Sequence, residues 1–141
     1  MTVSYPCRGE KYNVIKANFD RRIASFEAHL SRAHIRFRMV SYERSLAVQA
    51  AIYAQGRTSP GSIVSNAKPG QSPHNWGLAR DYVLFANGKV IQSASHPAFK
   101  VFAMLAATYA LVTGRDFKGL CDAGHVQHPA WRKAITWKPG K

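Results

Sequence analysis

The sequence predicts a single α+β domain, a small antiparallel sheet packed with about three helices. Three observations carry that expectation. Stretches with apolar residues at every third or fourth position alternate with short stretches of two-residue period. The strand-like stretches are not adjacent in the chain, and one of them turns back at Asn87-Gly88, a strong hairpin signal. Finally, 141 residues suit one domain, and a chain of that length buries roughly two thirds of its unfolded surface without needing cross-links.

Each element has its own signature. Phe19, Ile23, Phe26 and Leu30 recur at helical spacing among Arg21, Arg22 and Arg32, predicting an amphipathic helix over about residues 18–32. Ile35, Phe37 and Met39 alternate with Arg36 and Arg38, the period of a half-buried strand. Ser45 is placed to cap a second helix that runs to Gln55 and stops at Gly56, with Leu46, Ala50 and Tyr53 as its inner stripe. From Gly56 to Pro73, ten of 18 residues are Gly, Pro or Ser, which excludes a regular element. So long a loop in a compact domain is either a functional wall or a plain surface insertion. Leu78–Phe85 reads as a strand returning through Asn87-Gly88 into Lys89–Ile91. Ser95 and Pro97 open a third helix, about 97–112, whose nearly all-round apolar surface predicts a central buried position. A turn at Gly114 leads to a last short strand near Gly124–Gln127.

The composition is that of an ordinary globular protein, 46% hydrophobic and 19% charged, which argues against disorder. Its charge is not ordinary: 20 Lys and Arg against seven Asp and Glu give a formal net charge of +13. Such an excess attracts polyanions, whether nucleic acid, anionic lipid or anionic wall polymer, and otherwise serves solubility. Cys7 and Cys121 are too few and too far apart for a disulfide framework or a paired-Cys metal site. The N-terminus lacks the apolar core of a signal peptide. The longest apolar stretch, Ala98–Val112, contains Lys100 and falls short of the roughly 18 residues that span a bilayer.

Two clusters carry chemistry. In Ser72-Pro-His74-Asn-Trp-Gly-Leu-Ala-Arg-Asp81, a histidine ends the loop and a carboxylate lies on the following strand. In Asp122-Ala-Gly-His125-Val-Gln-His128, a second acid precedes two candidate histidines. Catalytic zinc takes three ligands from His and carboxylate side chains and leaves a fourth position open. His125 shares a strand face with Gln127, whereas His128 points to the other, so His125 is the preferred ligand and His128 its rival. His29 and His34 read as solvated or capping, and His96 as a neighbour of a helix cap.

These residues, together with Tyr53-Ala-Gln-Gly-Arg57-Thr-Ser-Pro-Gly61 and Asn66-Ala-Lys, resemble the L-alanyl-D-glutamate peptidases. Those enzymes belong to the zinc peptidase superfamily of D-Ala-D-Ala carboxypeptidases and vancomycin-resistance dipeptidases. The family pattern of Ser-x-His, six residues, Asp, and later an acid, two residues and His is met at Ser72, His74, Asp81, Asp122 and His125. An upstream Arg-Ser with a following Gln is met at Arg44-Ser45 and Gln49, and the resemblance spans about residues 18–128. It implies a hedgehog- or DD-peptidase-like fold with Zn2+ in a cleft on the sheet, held by His74, Asp81 and His125. It makes Asp122 the general acid/base and Arg44 the partner of the developing oxyanion, with Ser72, Gln49 and Arg57 supporting or touching substrate.

The pattern is broken in three places. Tyr42-Glu43 replaces Gly-Tyr before Arg44, Arg80 replaces a small apolar residue before Asp81, and Thr113–Phe117 stands where a Trp-Gly-Gly-like stretch is common. Arg57, Lys68 and Arg80 are either contacts for stem-peptide carboxylates or solvated surface. The tail from Trp131 mixes aromatics with cations, suiting either an anionic lipopolysaccharide or membrane contact or simple closure of the core.

The resulting expectation is a monomeric zinc endopeptidase of peptidoglycan stem peptides, cutting the L-Ala–D-Glu bond as a phage endolysin does. Its core is about 18–128, with a basic tail over 129–141 and no separate wall-binding domain. It would be made in a host cytoplasm and reach the wall after membrane permeabilisation, its basic surface meeting anionic wall or lipopolysaccharide rather than a specific nucleic acid. A D-Ala-D-Ala carboxypeptidase with the same site, or a non-catalytic basic binding module, are the alternative readings.

Overall fold

The computed structural model describes residues 10–115, 117 and 122–135. Cys7, Cys121 and the tail beyond residue 135 lie outside the described residues, so a Cys7–Cys121 bridge and the tail's wall contact are not addressed by the fold.

Helix α1 (Glu10–Arg32) buries Tyr12, Phe19, Ile23, Phe26 and Leu30 along one stripe. It begins well before residue 18, because Tyr12 and the half-buried Ile15 extend the same stripe toward the N-terminus. The Tyr12 hydroxyl donates to the Trp76 carbonyl at 2.7 Å, which fastens that first turn to a distant loop. His34, at φ 59, ends the helix in the left-handed region. Strand β1 (Arg36–Ser41) follows, and then α2 (Leu46–Ala54), capped as expected by Ser45, which accepts the Val48 N–H at 3.1 Å. The inner residues of α2 are Leu46 and Gln49, whereas Ala50 is exposed. A polar residue displaces the expected apolar stripe because every polar group of Gln49 finds a partner.

The loop after α2 stays irregular until a 3-10 turn at Pro73–Trp76, which leads into β2 (Ala79–Ala86). Asn87 and Gly88 both take positive φ, 53° and 75°, as a two-residue hairpin requires, and β3 (Lys89–Val90) returns. Helix α3 (Pro97–Thr108) is four residues shorter at its C-terminal end than the expected 97–112. Tyr109 and Ala110 form a turn, and Val112–Gly114 become β4, where the pattern predicts the helix end at 112 and a turn at Gly114. Nor is α3 buried all round: Phe99, Phe102 and Ala106 face the core while Met104 is 63% exposed. It covers one side of the sheet. His96 itself is the cap, its Nδ1 accepting the Ala98 N–H at 3.0 Å.

Strand β5 (Asp122–Gln127) completes an antiparallel sheet of order β1-β2-β5-β4, with β3 paired to the far end of β2. On the inner face Tyr82, Leu84 and Val126 pack with Phe26 and Phe102, and the Phe26–Phe102 rings meet edge to face at 5.1 Å. The outer face carries Asp81, Val83 and Phe85. Gly124 is required where β5 crosses β2, since a Cβ there would collide with the Tyr82 carbonyl oxygen. Trp131 is buried in a closing 3-10 turn (Trp131–Ala134) beside α1, so the start of the tail serves the core. His29, expected in solvent or at a cap, is hydrogen-bonded to the Tyr109 hydroxyl at 2.9 Å. No helix among the described residues is long and apolar enough to cross a membrane.

His128, the rival ligand, is a core residue. Its Nδ1 accepts the Ala130 N–H at 3.0 Å and its Nε2 lies 2.8 Å from Asn18 Oδ1, a carbonyl that can only accept. Both ring nitrogens are satisfied in one neutral tautomer, and a second proton would face the Ala130 N–H. Burial, with the nearby Arg22 charge, lowers its pKa to about 4. An unfolded chain takes up this proton from about pH 6.5 downward, so stability is complete above that pH and falls as acid approaches pH 4. Chemical denaturation from pH 7.5 to 4 is expected to show this loss, and His128→Gln to flatten it in that window. NMR titration of the ring provides the independent pKa.

Candidate metal centre

Three elements bring the site together. His74 sits in the 3-10 turn, where Ser72 caps by accepting the His74 N–H at 3.3 Å and Asn75 closes a capping box. Gly77, in the left-handed region at φ 67, ends the turn and sends the chain into β2. Asp81 lies on β2 directly opposite His125 on β5, so register alone places this acid and this base on one face.

The three side chains converge. His74 Nε2 lies 3.1 Å from one Asp81 carboxylate oxygen, and His125 Nδ1 lies 2.9 Å from the other. One ligand atom from each residue falls within 4.8 Å of the others. The edge of a tetrahedron built from zinc–nitrogen and zinc–oxygen bonds is about 3.3 Å, by bond lengths typical of such sites. The donor set therefore fits a divalent ion of the zinc type.

The histidine rings are oriented for that purpose. His74 Nδ1 donates to the Tyr42 carbonyl at 2.9 Å, so Nε2 is the nitrogen that faces Asp81. His125 Nε2 donates to Gln127 Oε1 at 2.7 Å, so Nδ1 faces the same carboxylate. Such outer partners orient metal-binding imidazoles and raise their basicity. Tyr42 acts through its backbone, so the Tyr42-Glu43 departure from the family pattern does not disturb the turn. Burial opposes ionisation of Asp81, yet hydrogen bonds from His125 and His74 and their charges hold its carboxyl well below the usual carboxylate range.

Arg44 and Asp122 flank the cluster. An Arg44 guanidinium nitrogen stands 3.7 Å from Asp81 Oδ2, while Nη1 donates to Gln49 Oε1 at 2.9 Å. Gln49 in turn donates to the Ala67 carbonyl at 2.7 Å, tying the arginine to the long loop. Asp122 opens β5. A register shift between β4 and β5 lets it and His125, three residues apart, both reach the site. Burial and then the Asp81 charge raise the Asp122 pKa, with His125, His74 and Arg44 pulling it back. Gly114 permits this crowding, because a Cβ there would strike the Asp122 carbonyl and stand 3.1 Å from His125 Cβ.

Other sequence candidates go elsewhere. Arg57 donates to the Tyr53 and Ser65 carbonyls at 2.7 and 2.9 Å and to Asn66 at 3.1 Å, which makes it a staple of the loop. Arg80 lies 3.6 Å from Glu27 and stacks 4.8 Å from the Tyr42 ring, away from the Asp81 face. Two contributors were missed. Gln127 was recognised only as sharing His125's face. Phe117, whose ring lies 5.5 Å from that of His125, falls where the family pattern breaks and carried no signal.

Comparison with known proteins agrees with this geometry. The family pattern described as VanY, D-alanyl-D-alanine carboxypeptidase, matches residues 13–131. The chain is similar to the peptidoglycan L-alanyl-D-glutamate endopeptidase CwlK of Bacillus subtilis, 34% identical over 79 residues, or 56% of this chain and 45% of that one. The chain thus matches about half the length of this curated relative. Among solved structures, the Serratia marcescens L-Ala D-Glu endopeptidase ChiX superposes with a TM-score of 0.60 at 20% identity, covering 94% of this chain and 95% of that one. A zinc complex of the vancomycin-resistance D,D-pentapeptidase VanY superposes with a TM-score of 0.57 at 13% identity, covering 82% and 73%. At these identities the structures establish the fold, a small antiparallel sheet with three helices of the DD-peptidase type.

Zinc titration followed by calorimetry is expected to give one tight site per chain, and His74→Ala or Asp81→Ala to abolish it. Gln127→Ala, which frees the His125 ring without removing a ligand, is expected to weaken binding about 10–100-fold.

Proposed function

The chain belongs to the VanY family of D-alanyl-D-alanine carboxypeptidases, and from that premise we propose a zinc-dependent peptidoglycan peptidase that cuts the L-Ala–D-Glu bond of stem peptides. The observation that carries the reading is the convergence of His74, Asp81 and His125, with Arg44 and Asp122 beside them.

His74, Asp81 and His125 would hold the ion. Bound there, zinc supplies Lewis acidity, polarising a carbonyl and lowering the pKa of water toward about 7. The protein's residues do the rest. Asp122, a carboxylate whose proton affinity burial has raised, takes the proton from the attacking water and delivers it to the departing amine. Arg44, held in place by Gln49, presents a fixed positive charge to the oxygen on which negative charge develops. The wall of the cleft is the loop after α2, kept in one shape by Arg57 and Gln49.

The choice of bond is supported by the named activities of the CwlK and ChiX relatives and by an aspartate, rather than a glutamate, at position 122. The family's own description favours a second reading, release of terminal D-Ala by the same site. A setting as a phage endolysin, made in a host cytoplasm and acting on the wall after membrane permeabilisation, is supported by the net charge of +13, which draws the protein to anionic wall polymers.

Mass spectrometry of muropeptides after digestion separates the two bonds: new D-Glu amino termini support the endopeptidase, and released D-Ala supports the carboxypeptidase. A chelator is expected to stop digestion and added zinc to restore it. Asp122→Asn is expected to keep its zinc while kcat falls by about 100-fold or more. Arg44→Ala is expected to lose about 100-fold in kcat. Near-normal turnover in Asp122→Asn would overturn the role given to that residue.

A further inference from the structure

The outer face of the sheet does not end at the metal centre. Along β2, Asp81, Val83 and Phe85 point to the same side, each about 7 Å beyond the last. Register with β1 puts Arg38 opposite Val83 and Arg36 opposite Phe85, and register with β3 puts Val90 on the other flank of Phe85. Directly opposed residues share a face, so both arginines stand on the side that carries Asp81 and His125. Val83 and Phe85 are half-buried, and Arg36 and Arg38 are exposed. The Arg38 guanidinium lies 5.7 Å from the centre of the Phe85 ring, a cation–π contact that restrains it over this floor. Among the described residues neither arginine has a carboxylate within 4.0 Å. Glu27 on α1 is engaged by Arg80 and Tyr82.

The geometry points to an extended acidic-peptide subsite on this face: Val83 and Phe85 form its floor, and Arg38 and Arg36 bind carboxylates of the substrate chain roughly two and four residues from the scissile bond. The spacing follows from the strand itself. A peptide laid along β2 with its reacting bond at Asp81 advances at the same ~3.3 Å per residue, so its second residue comes level with Arg38 and its fourth with Arg36. The apolar floor favours the peptide's aliphatic parts. Two unpaired cations favour free acids over amides, which makes carboxylate content, rather than length alone, the quantity recognised. The inference deepens the peptidase reading and rests on it for the location of the scissile bond.

The test uses zinc-loaded protein and two synthetic stem pentapeptides that begin L-Ala-D-Glu and carry an acidic third residue, one with its side-chain and C-terminal carboxylates free and one with them amidated. For the free-acid peptide, Arg38→Ala and Arg36→Ala are each expected to raise KM about threefold and the double variant about tenfold, as exposed charge pairs allow. The effect should fall in KM rather than kcat, shrink with added salt, vanish on the amidated peptide, and be restored by Arg38→Lys with Arg36→Lys. Equal changes on both peptides, or no change on the acidic one, would overturn it. Fluorescence anisotropy with the same labelled peptides and zinc-loaded Asp122→Asn protein gives a readout that needs no turnover. If wild-type protein cleaves neither peptide, the peptidase reading fails, and the subsite then stands or falls on whether the acidic peptide is preferred in binding and that preference is lost in the double arginine variant.

Discussion

A half-buried carboxylate on an exposed sheet face is the constraint around which this protein is arranged. Asp81 is taken partly out of water, which disfavours its charge, and the structure answers with two imidazoles and a guanidinium directed at its two oxygens. Each of those partners is itself held by a backbone carbonyl or an amide oxygen. The result is a prepared pocket of fixed donor geometry rather than a set of side chains that must gather around an ion. Such preorganisation separates a metal site from a chance cluster of histidines and acids.

Much of this was legible in the chain. The Asn87-Gly88 hairpin, the Ser45 cap and the Phe19–Leu30 stripe are local signals, and each sits where its chemistry requires. The convergence of His125 with Asp81 was legible as well, because His125 and its rival His128 differ in strand parity and only one parity faces Asp81. What was not legible is tertiary. The first two turns of α1 depend on a hydroxyl reaching Trp76, and Gln49 lies in the interior only because a loop far along the chain supplies its acceptor. β4 is three residues long, and Thr113-Gly114 becomes a strand through pairing with β5, which no local pattern announces. α3 read as buried all round because its composition is apolar, yet Met104 faces solvent. Composition fixes what can be buried and not how much neighbouring structure is available to bury it.

The long loop is held by side chains. It has no regular structure of its own, but Arg57 joins its start to its middle at Ser65 and Asn66, and Gln49 joins it to Arg44. A segment so tied shares its position with the site it borders. Changes in the loop therefore reach the charge at position 44 through one amide.

The strand order carries a consequence for the protein's life before it acts. β5 lies between β2 and β4, although it is the last of the described strands in chain order. The bond between His125 and Asp81 closes a span of 44 residues, and that between His128 and Asn18 a span of 110. Contacts of such separation form late, because loop closure must be met first. Until β5 has paired with β2, His125 does not stand beside Asp81. The group of His74, Asp81 and His125 is thus completed in one step, with the insertion of one central strand.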